Sequence, residues 1–402
     1  PVLDPETRKI TGIVTRTDLL KTLQSEKSKT IGQKNLAVML GKALSPSRLG
    51  LLKLIASFPH GEANAIYIVG GFVRDLLLER PSPDFDLVIE GDAISFCRAF
   101  AHQYGGRVVS HKRFGTAKWQ LQSSDKHLSS ALKIEGTIPA DLPDSLDFIS
   151  ARTEFYDHPT ALPTVERSSI KLDLHRRDFT INTLAMRLDG THYGDLYDYW
   201  DGLADIEKKQ VRVLHSLSFV DDPTRLLRAV RFEQRFKFHI EKRTLQLMTE
   251  ARELLHQLSG ERIHHELDLI FSENEPSPIM HRLEELNLLS GIHPKLGWRS
   301  TSDEALVNAF KYKEKTGWQV PDSLGNTPAR LALAFLIWLS SYDEQLISGL
   351  GRRLRLSNQL VECVHQTGKL LAKQDEIVDL PPSAFSKMLE GVSIHGLYAA
   401  YC

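Results

Sequence analysis

The 402-residue sequence predicts an α+β protein, in which a domain with a mixed sheet precedes an all-helical remainder. Three observations lead to this prediction. Short apolar runs typical of strands recur between residues 65 and 150, with helix-like segments between them. From residue 241 onward the pattern is helical almost throughout. The chain is also too long for one ordinary hydrophobic core, so we expect two to four domains.

The first informative stretch is a strand, a glycine bend and a helix. Residues 65–69 form an apolar run that predicts a buried strand. Gly70 and Gly71 end it, and their missing Cβ atoms permit a sharp turn and a close approach by a ligand. Residues 72–79 predict a helix whose first N–H groups face the glycines, an arrangement that suits a phosphate. Arg74, one turn into this helix, can add a forked cationic contact.

Two carboxylates follow directly. Asp84 and Asp86 precede the apolar residues 87–89, and residues two apart on a strand face the same side. Two hard oxygen ligands beside a phosphate site are what Mg²⁺ with a nucleotide requires. Each motif alone is usually a turn or a solvated strand end, but their order within one unit favours a functional site. Asp147, on a later predicted strand, is either a third carboxylate or a solvated strand end.

A loop and an arginine pair come next. Residues 152–172 lack clear periodicity, and long loops in compact domains are often functional. They lead to Arg176, Arg177 and Asp178, which lie among apolar neighbours where charges are costly unless paired. We expect one arginine to brace Asp178 and the other to bind a triphosphate or ribose. Purely structural ion pairing is the alternative.

The second informative stretch begins near Pro223, which suits the first position of a helix capped by Asp222. Arg225, Arg228 and Arg231 then recur at every third residue as a basic stripe. One interpretation is a solvated helix face. The other is that Asp222 and Arg225 present a carboxylate beside a guanidinium and read a base edge. Arg228 and Arg231 would then hold phosphates.

The composition restricts the possible partners and the compartment. Basic and acidic residues number 50 and 51, so any nucleic-acid surface must be a local patch. The three cysteines form no CxxC motif, which argues against a zinc site and suits a reducing, cytoplasmic environment. No apolar run could span a bilayer, and no signal peptide is visible. Because the chain begins at Pro1 and stops at Cys402, we expect a fragment cut at both ends.

Taken together, the motifs resemble those of the class II tRNA nucleotidyltransferase and bacterial poly(A) polymerase family, within the polymerase β-like superfamily. The resemblance covers about residues 49–290, and residues 1–24 separately resemble the end of a CBS domain. The motifs are Gly70-Gly71-x-x-Arg74-Asp75, Asp84-x-Asp86, Arg176-Arg177-Asp178-Phe179-Thr180-Ile181-Asn182 and Asp221-Asp222-Pro223-x-Arg225-x-x-Arg228-Ala229-x-Arg231-Phe232.

The resemblance implies a polymerase β-like nucleotidyltransferase head, followed by an all-helical neck, body and tail. On this basis we expect a tRNA-binding body and tail, and a neck that carries the nucleotide-selecting motif. The expected segments are a CBS remnant (1–24), a linker (25–48), the head (49–190), the neck (191–272) and the body with the tail (273–402).

The family's reaction is implied with the fold. Asp84 and Asp86 would hold Mg²⁺ for attack of the tRNA 3′-hydroxyl on the α-phosphate of ATP or CTP, with release of pyrophosphate. The template acid is usually preceded by Glu, whereas Asp221 stands here with a shorter side chain. The loop 152–172 leans toward A-addition or full CCA-addition. By position, the nucleotide-binding residues are Gly70, Gly71, Arg74, Arg177, Asp222, Arg225, Arg228 and Arg231.

Two alternatives remain open from the sequence. A poly(A) polymerase of the same family would share every motif, although no basic C-terminal extension of the usual kind is visible. A non-catalytic RNA-binding subunit regulated by its CBS region is the other, and the presence of both Asp84 and Asp86 argues against it.

Overall fold

The computed structural model describes residues 2–3, 10–12, 31–59, 65–80, 85–121, 126–132, 139, 141–155, 164–374 and 380–402. The chain forms two compact units, Pro1–His215 and Ser216–Cys402. The first carries the main sheet and the second is mostly helical, so the predicted α+β fold is confirmed. The finer division into head, neck, body and tail stays a prediction.

The first unit is organised around a mixed sheet, which has eight strands among the described residues. Numbered along the chain, the strands are β3 (Ile31–Asn35), β4 (Ala65–Val69), β5 (Leu87–Glu90), β6 (Arg107–His111), β7 (Thr116–Gln120), β8 (Ser145–Ser150), β11 (Leu184–Arg187) and β12 (Asp195–Asp198). In the sheet they lie in the order β3-β12-β11-β4-β5-β8-β7-β6. β5 and β8 are parallel, and the other neighbouring pairs are antiparallel.

Smaller strand pairs lie outside this sheet. β9 (Arg152–Phe155) and β10 (Thr164–Arg167) form an antiparallel hairpin at the base of the predicted loop, whose residues 156–163 lie outside the described part. The CBS-like segment 1–24 also lies outside it, except for β1 (Val2–Leu3) and β2 (Ile10–Gly12), which pair antiparallel. Further short strands are β13 (Gln210–Val211), β14 (His239–Ile240), β15 (Ser323–Leu324) and β16 (Thr327–Pro328).

Helices cover the sheet, and this explains why its central strands are apolar. All five residues of β4 are buried, as expected for a strand covered on both faces. One face of the sheet packs on α4 (Ala93–Tyr104) through Phe96 and Phe100 of this helix, which contact Phe148 of β8. The helices of this unit are α1 (Ala37–Ala43), α2 (Pro46–Ser57), α3 (Gly71–Leu77), α4 (Ala93–Tyr104), α5 (Lys126–Ala131), α6 (Ile170–His175) and α7 (Gly202–Glu207).

The segment 25–48, which we predicted to be a linker, contains an edge strand of the sheet. β3 and α1 both lie within residues 25–48, and β3 pairs with β12. Asn35 ends the strand: its Nδ2 donates to the Tyr193 carbonyl and to Asp195, and its Oδ1 accepts from the N–H of Ala37. An edge strand can be polar because one side of it needs no cover, which is why the apolar pattern missed it.

In the second unit, the helical prediction from residue 241 onward is confirmed. Its central helix is α15 (Ala329–Leu339), which is apolar around most of its circumference. This helix packs against α11 (Gly260–Ser272), α14 (Thr301–Ala309), α17 (Asn358–Leu371) and α19 (Ile394–Tyr401). The helices are α8 (Ser218–Asp221), α9 (Thr224–Phe236), α10 (Lys242–Ala251), α11 (Gly260–Ser272), α12 (Pro276–Glu285), α13 (Leu288–Ile292), α14 (Thr301–Ala309), α15 (Ala329–Leu339), α16 (Glu344–Leu354), α17 (Asn358–Leu371), α18 (Pro382–Leu389) and α19 (Ile394–Tyr401).

The first residue of α11 is held against the end of α16. A Cβ on Gly260 would lie 2.1 Å from the carbonyl oxygen of Arg353, so this contact requires glycine. The Arg353 guanidinium donates to the carbonyls of Leu258 and Leu255 at 2.8 and 2.9 Å. The start of α11 is therefore fixed both by the backbone carbonyl of Arg353 and by the side chain of the same residue. Among the residues that the structure describes, no helix has the length and apolarity needed to cross a membrane.

We expect Gly260→Ala to lower the free energy of unfolding by about 1–3 kcal/mol, because the backbone of α16 must move to admit the methyl group. Gly349→Ala is the matched control, since nothing lies within 4 Å of a Cβ there and Gly349 lies inside α16. That change should stabilise the protein by about 0.4–1 kcal/mol. Urea unfolding measures both; equal effects would contradict the close approach.

Candidate active site

The bend between β4 and α3 is built around Gly70. This residue adopts φ +70°, and its N–H donates to the Leu184 carbonyl of β11 at 2.8 Å. A Cβ on Gly70 would lie 2.6 Å from Nη1 of Arg177. Glycine is therefore required here both by the backbone conformation and by the guanidinium that crosses the bend. The sequence predicted the glycine bend but not the residue that crosses it.

Arg74 lies within α3 and is only 5% exposed. Its Nε and Nη2 donate to the two carboxylate oxygens of Asp75 at 2.8 and 3.0 Å, and its Nη1 donates to Oδ1 of Asn182 at 2.5 Å. The forked contact that we predicted for a phosphate is thus made to a carboxylate of the protein. Binding of a triphosphate by Arg74 stays a prediction.

Arg176 and Arg177 both pair with Asp173, an acid that the sequence analysis did not single out. Nε and Nη2 of Arg176 lie 3.0 and 2.8 Å from its Oδ1, and Nη2 of Arg177 lies 3.2 Å from its Oδ2. The spacings of three and four residues place both arginines on the side of Asp173. Asp178, which we expected an arginine to brace, accepts from the N–H of Phe179 and from Asn182, both at 2.8 Å.

Asp173 has no exposed surface, and its ionisation depends on the two arginines. Burial alone would raise the pKa of its carboxyl, but the charges of Arg176 and Arg177, with hydrogen bonds from Arg176 and from the N–H of Arg152, bring the pKa below its ordinary value. Asp173 therefore stays ionised and anchors both guanidinium groups.

Among the residues that the sequence predicts to contact a nucleotide, Arg177 has the position that best suits the binding of a phosphate. It is anchored to Asp173 by Nη2, and its Nη1 lies over the glycine bend. Its Nε is buried and has no hydrogen-bond partner among the described residues. Because an unpaired buried donor is costly, this atom fits a site that an anion completes.

Asp86 directly precedes β5, and Asp147 lies on the neighbouring strand β8. β5 and β8 are parallel with Leu87 opposite Phe148, and the same register continued by one residue sets Asp86 beside Asp147. Asp86 is exposed, while Asp147 is half-buried and pairs with Lys118 at 3.4 Å. Adjacent carboxylate oxygens of this kind fit Mg²⁺. Asp84 lies outside the described residues, within which no group of three metal-ligating side chains forms.

The acidic pair and the arginine anchor share one face of the sheet. Val88 belongs to the buried cluster that α6 covers through Ile170, and Ile149 packs against this cluster. Asp86 and Asp147 each lie two positions before one of these residues, and alternate residues on a strand share a face. The face that carries the acids is therefore the face covered by the helix that bears Asp173.

In the second unit, Asp222 precedes α9 as the sequence predicted. The helix begins at Thr224, one residue later than expected, and the Asp222 carboxylate accepts from the N–H and Oγ1 of Thr224 at 2.9 and 2.6 Å. Arg225 is 6% exposed and donates from Nη1 to the Oγ of Ser218 at 2.6 Å and to its carbonyl at 3.4 Å. Base reading by Asp222 and Arg225 stays a prediction.

The basic stripe on α9 is not a solvated face. Arg228 and Arg231 each lie 3.3 Å from a carboxylate oxygen of Glu266, and Arg231 also lies 3.4 Å from Glu273. Arg231 is only 5% exposed, so the solvated-face interpretation is wrong for it and for Arg225. Glu266 lies on α11, and Glu273 directly follows the last residue of that helix. Phosphate binding by Arg228 and Arg231 stays a prediction.

Two family models match the chain, and the segment 221–232 lies between their two matches. Residues 66–212 match the family model described as poly A polymerase head domain. Residues 237–298 match the model described as probable RNA and SrmB-binding site of polymerase A. The first match contains the glycine bend, Asp86, Asp147 and Arg177.

Curated relatives and a solved structure are also similar to the chain. It is 37% identical over 379 residues to the A-adding tRNA nucleotidyltransferase of Geobacter sulfurreducens, covering 90% of this chain and 40% of the relative. The A-adding tRNA nucleotidyltransferase of Halalkalibacterium halodurans is 36% identical over 299 residues, with 73% and 65% covered. The chain thus spans less than two thirds of either relative.

The solved structure is a Thermotoga maritima CCA-adding enzyme complexed with tRNA. It matches with a TM-score of 0.69 at 30% identity, over 92% of this chain and 82% of that one.

We expect Gly70→Ala to be more destabilising than Gly190→Ala, although both glycines have a positive φ. A positive φ should cost alanine about 1–3 kcal/mol at each position, with the higher cost at Gly70, whose ψ of −123° lies outside the left-handed helical region. Nothing lies within 4 Å of a Cβ at Gly190, whereas Arg177 must move at Gly70, at a further cost of about 1–3 kcal/mol. Urea unfolding of Gly70→Ala in an Arg177→Ala background should show the excess shrink; an unchanged excess would exclude Arg177 as a cause.

We expect Asp173→Asn to lower the free energy of unfolding by about 3–5 kcal/mol at pH 7, because two guanidinium groups lose their buried counter-ion. Since the folded pKa is lowered, this stabilisation is present above the ordinary carboxyl value of about 4 and is lost as the pH falls through the folded value. Urea unfolding from pH 7 downward should therefore show the difference in stability between the two proteins begin to shrink below about pH 4. Exposed Glu166 of β10 supplies the control Glu166→Gln, and a gap independent of pH would contradict the assignment.

Proposed function

The chain belongs to the tRNA nucleotidyltransferase and poly(A) polymerase family, and from that premise we propose that it adds AMP to the 3′ end of tRNA. The observation that carries the proposal is Arg177, anchored by buried Asp173 and extended over Gly70, on the sheet face that bears Asp86 and Asp147. Nucleotide transfer from a triphosphate needs a cation that binds the phosphates and carboxylates that can hold a metal ion beside them. A-addition is favoured because both curated relatives described above carry that name.

In this proposal each part of the chain has a defined role. Gly70 and Gly71 let the triphosphate approach the backbone, and Arg177 neutralises part of its charge and aligns it. Asp84 and Asp86, with Asp147 beside them, would hold Mg²⁺. The ion, when bound, supplies Lewis-acid stabilisation of the charge on the 3′ oxygen and the triphosphate.

Base selection is assigned to the second unit. An oxygen of Asp222 would accept a hydrogen bond from the exocyclic amine of adenine, and Arg225 would donate to a ring nitrogen. Arg225 already has an anchor in Ser218, which would limit its motion and thereby sharpen the choice of base.

The proposal extends to the setting of the reaction. A cytoplasmic location is supported by three free cysteines, Cys97, Cys363 and Cys402. We retain the interpretation of residues 1–24 as the end of a CBS domain. Full CCA-addition is the second candidate, because the solved structure that matches over 92% of the chain is a CCA-adding enzyme.

The test uses tRNA transcripts that end at the discriminator base, in C or in CC, each with labelled ATP or CTP. We expect the 402-residue chain to add one AMP to tRNA ending in CC and no CMP to the other transcripts. Use of CTP on the shortest transcript would establish CCA-addition, and long adenylate tails on unrelated RNA would establish a poly(A) polymerase.

The variant Asp86→Asn is the control for the active site. The loss of one metal-binding charge should slow incorporation by about 10³-fold, since metal stabilisation of transition-state charge contributes several kcal/mol. Its urea unfolding curve should match that of the unmodified chain, because Asp86 is exposed. Unchanged incorporation by this variant would refute the proposed site, and no incorporation by the unmodified chain would refute the proposed function.

A further inference from the structure

Arg262 contacts the acid that precedes α9. Its Nη2 lies 2.6 Å from Oδ1 of Asp222, and the two side chains are 37% and 24% exposed. The partners lie forty residues apart in sequence, and Arg262 belongs to the first turn of α11. Neither the sequence motifs nor the proposed function gave Arg262 a role.

The two oxygens of the Asp222 carboxylate are used unequally. Within the described residues, Oδ1 accepts from the N–H of Thr224, from its Oγ1 and from Arg262, at 2.9, 2.6 and 2.6 Å. No donor from the same residues reaches Oδ2. Three donors at one oxygen use its accepting capacity and fix the plane of the group. The other oxygen keeps its full capacity to accept a hydrogen bond.

The position of Arg262 is itself determined by packing. It lies two residues after Gly260, whose contact with the Arg353 carbonyl fixes the start of α11. Glu266, in a later turn of α11, and Glu273, directly after its last residue, pair with arginines of α9. In those ion pairs α9 supplies the cation, whereas at Asp222 the signs are reversed. An arginine on a helix with so many fixed contacts can orient a carboxylate within a narrow range.

We propose that Arg262 is a positioning residue for base selection, an inference that rests on the proposed function. By occupying Oδ1 of Asp222, it directs Oδ2 to accept from the exocyclic amine of the incoming nucleotide. Adenine donates from its 6-amino group, whereas hypoxanthine carries a carbonyl oxygen at that position, which a carboxylate repels. ATP and ITP therefore differ at the group that Asp222 would read.

A purely structural role predicts a different result. If Arg262 served only to hold α9 and α11 together, its loss would lower stability without changing the preference for ATP over ITP. Arg235 supplies the matched control, because it belongs to the same set of ion pairs, 3.4 Å from Glu273, and is 41% exposed. It lies at the opposite end of α9 from Asp222.

The experiment compares Arg262→Gln, Arg262→Lys and Arg235→Gln in kcat and KM for ATP and ITP, on tRNA ending in CC. Arg262→Gln should lower the ATP-over-ITP ratio of kcat/KM by about tenfold, or about 1.4 kcal/mol, mainly through KM for ATP, because the contact with the base is weakened. Arg262→Lys keeps the charge and should restore part of the ratio. Arg235→Gln should leave the ratio unchanged. An unchanged ratio in Arg262→Gln overturns the proposal.

A double-mutant cycle shows whether Arg262 acts through Asp222. If it does, Asp222→Ala combined with Arg262→Gln should be no less selective than Asp222→Ala alone, and a further loss would overturn the proposal. Equilibrium binding of ATP and ITP to the same variants gives a second ratio that needs no incorporation. If the unmodified chain incorporates nothing, the proposed function fails, while the binding ratio still decides the role of Arg262. Thermal unfolding of each variant verifies that it folds.

Discussion

The crossing of Arg177 over Gly70 is the contact on which the proposed site depends. It joins two elements: the bend after β4 and the end of α6, whose buried Asp173 anchors the guanidinium. A guanidinium so close to the backbone tolerates no side chain at Gly70, and it needs a counter-ion inside the protein to stay in place. The site is therefore determined by packing and charge together.

The same principle recurs in the second unit on a larger scale. Arg228 and Arg231 of α9 are half-buried and buried, and they are compensated by Glu266 of α11 and by Glu273, which directly follows that helix. Ion pairs of this kind add little stability by themselves, because desolvation offsets the attraction, but they are costly to break. They hold two helices in one register, and this places Asp222 and Arg262 next to each other. The net charge of −1 gives no indication of these internal ion pairs.

Local patterns in the sequence were sufficient to predict the glycine bend, the start of α9 to within one residue, and the division between sheet and helices. Asp173 was missed although it is a local partner, because it lacked any motif signal; its spacing from Arg176 and Arg177 could have revealed it. The other failures concern partners that lie far away in the chain. Arg262 and Glu266 belong to a helix with no visible tie to α9 until the fold joins them. Strand β3 was missed because an edge strand needs no apolar alternation.

The parallel pairing of β5 with β8 also bears on how the protein folds. Parallel strands cannot be joined by a tight turn, and here α4 and the β6–β7 hairpin lie between them in sequence. Asp86 and Asp147 therefore become neighbours only after a long loop has closed, which is slow because its entropy is lost before the contacts form. The contact of Arg177 with the glycine bend must form later still, because Asp173 and Arg177 both follow β8 in the sequence. A nascent chain would thus acquire the strands that carry its acidic pair before the arginine that completes its phosphate-binding part.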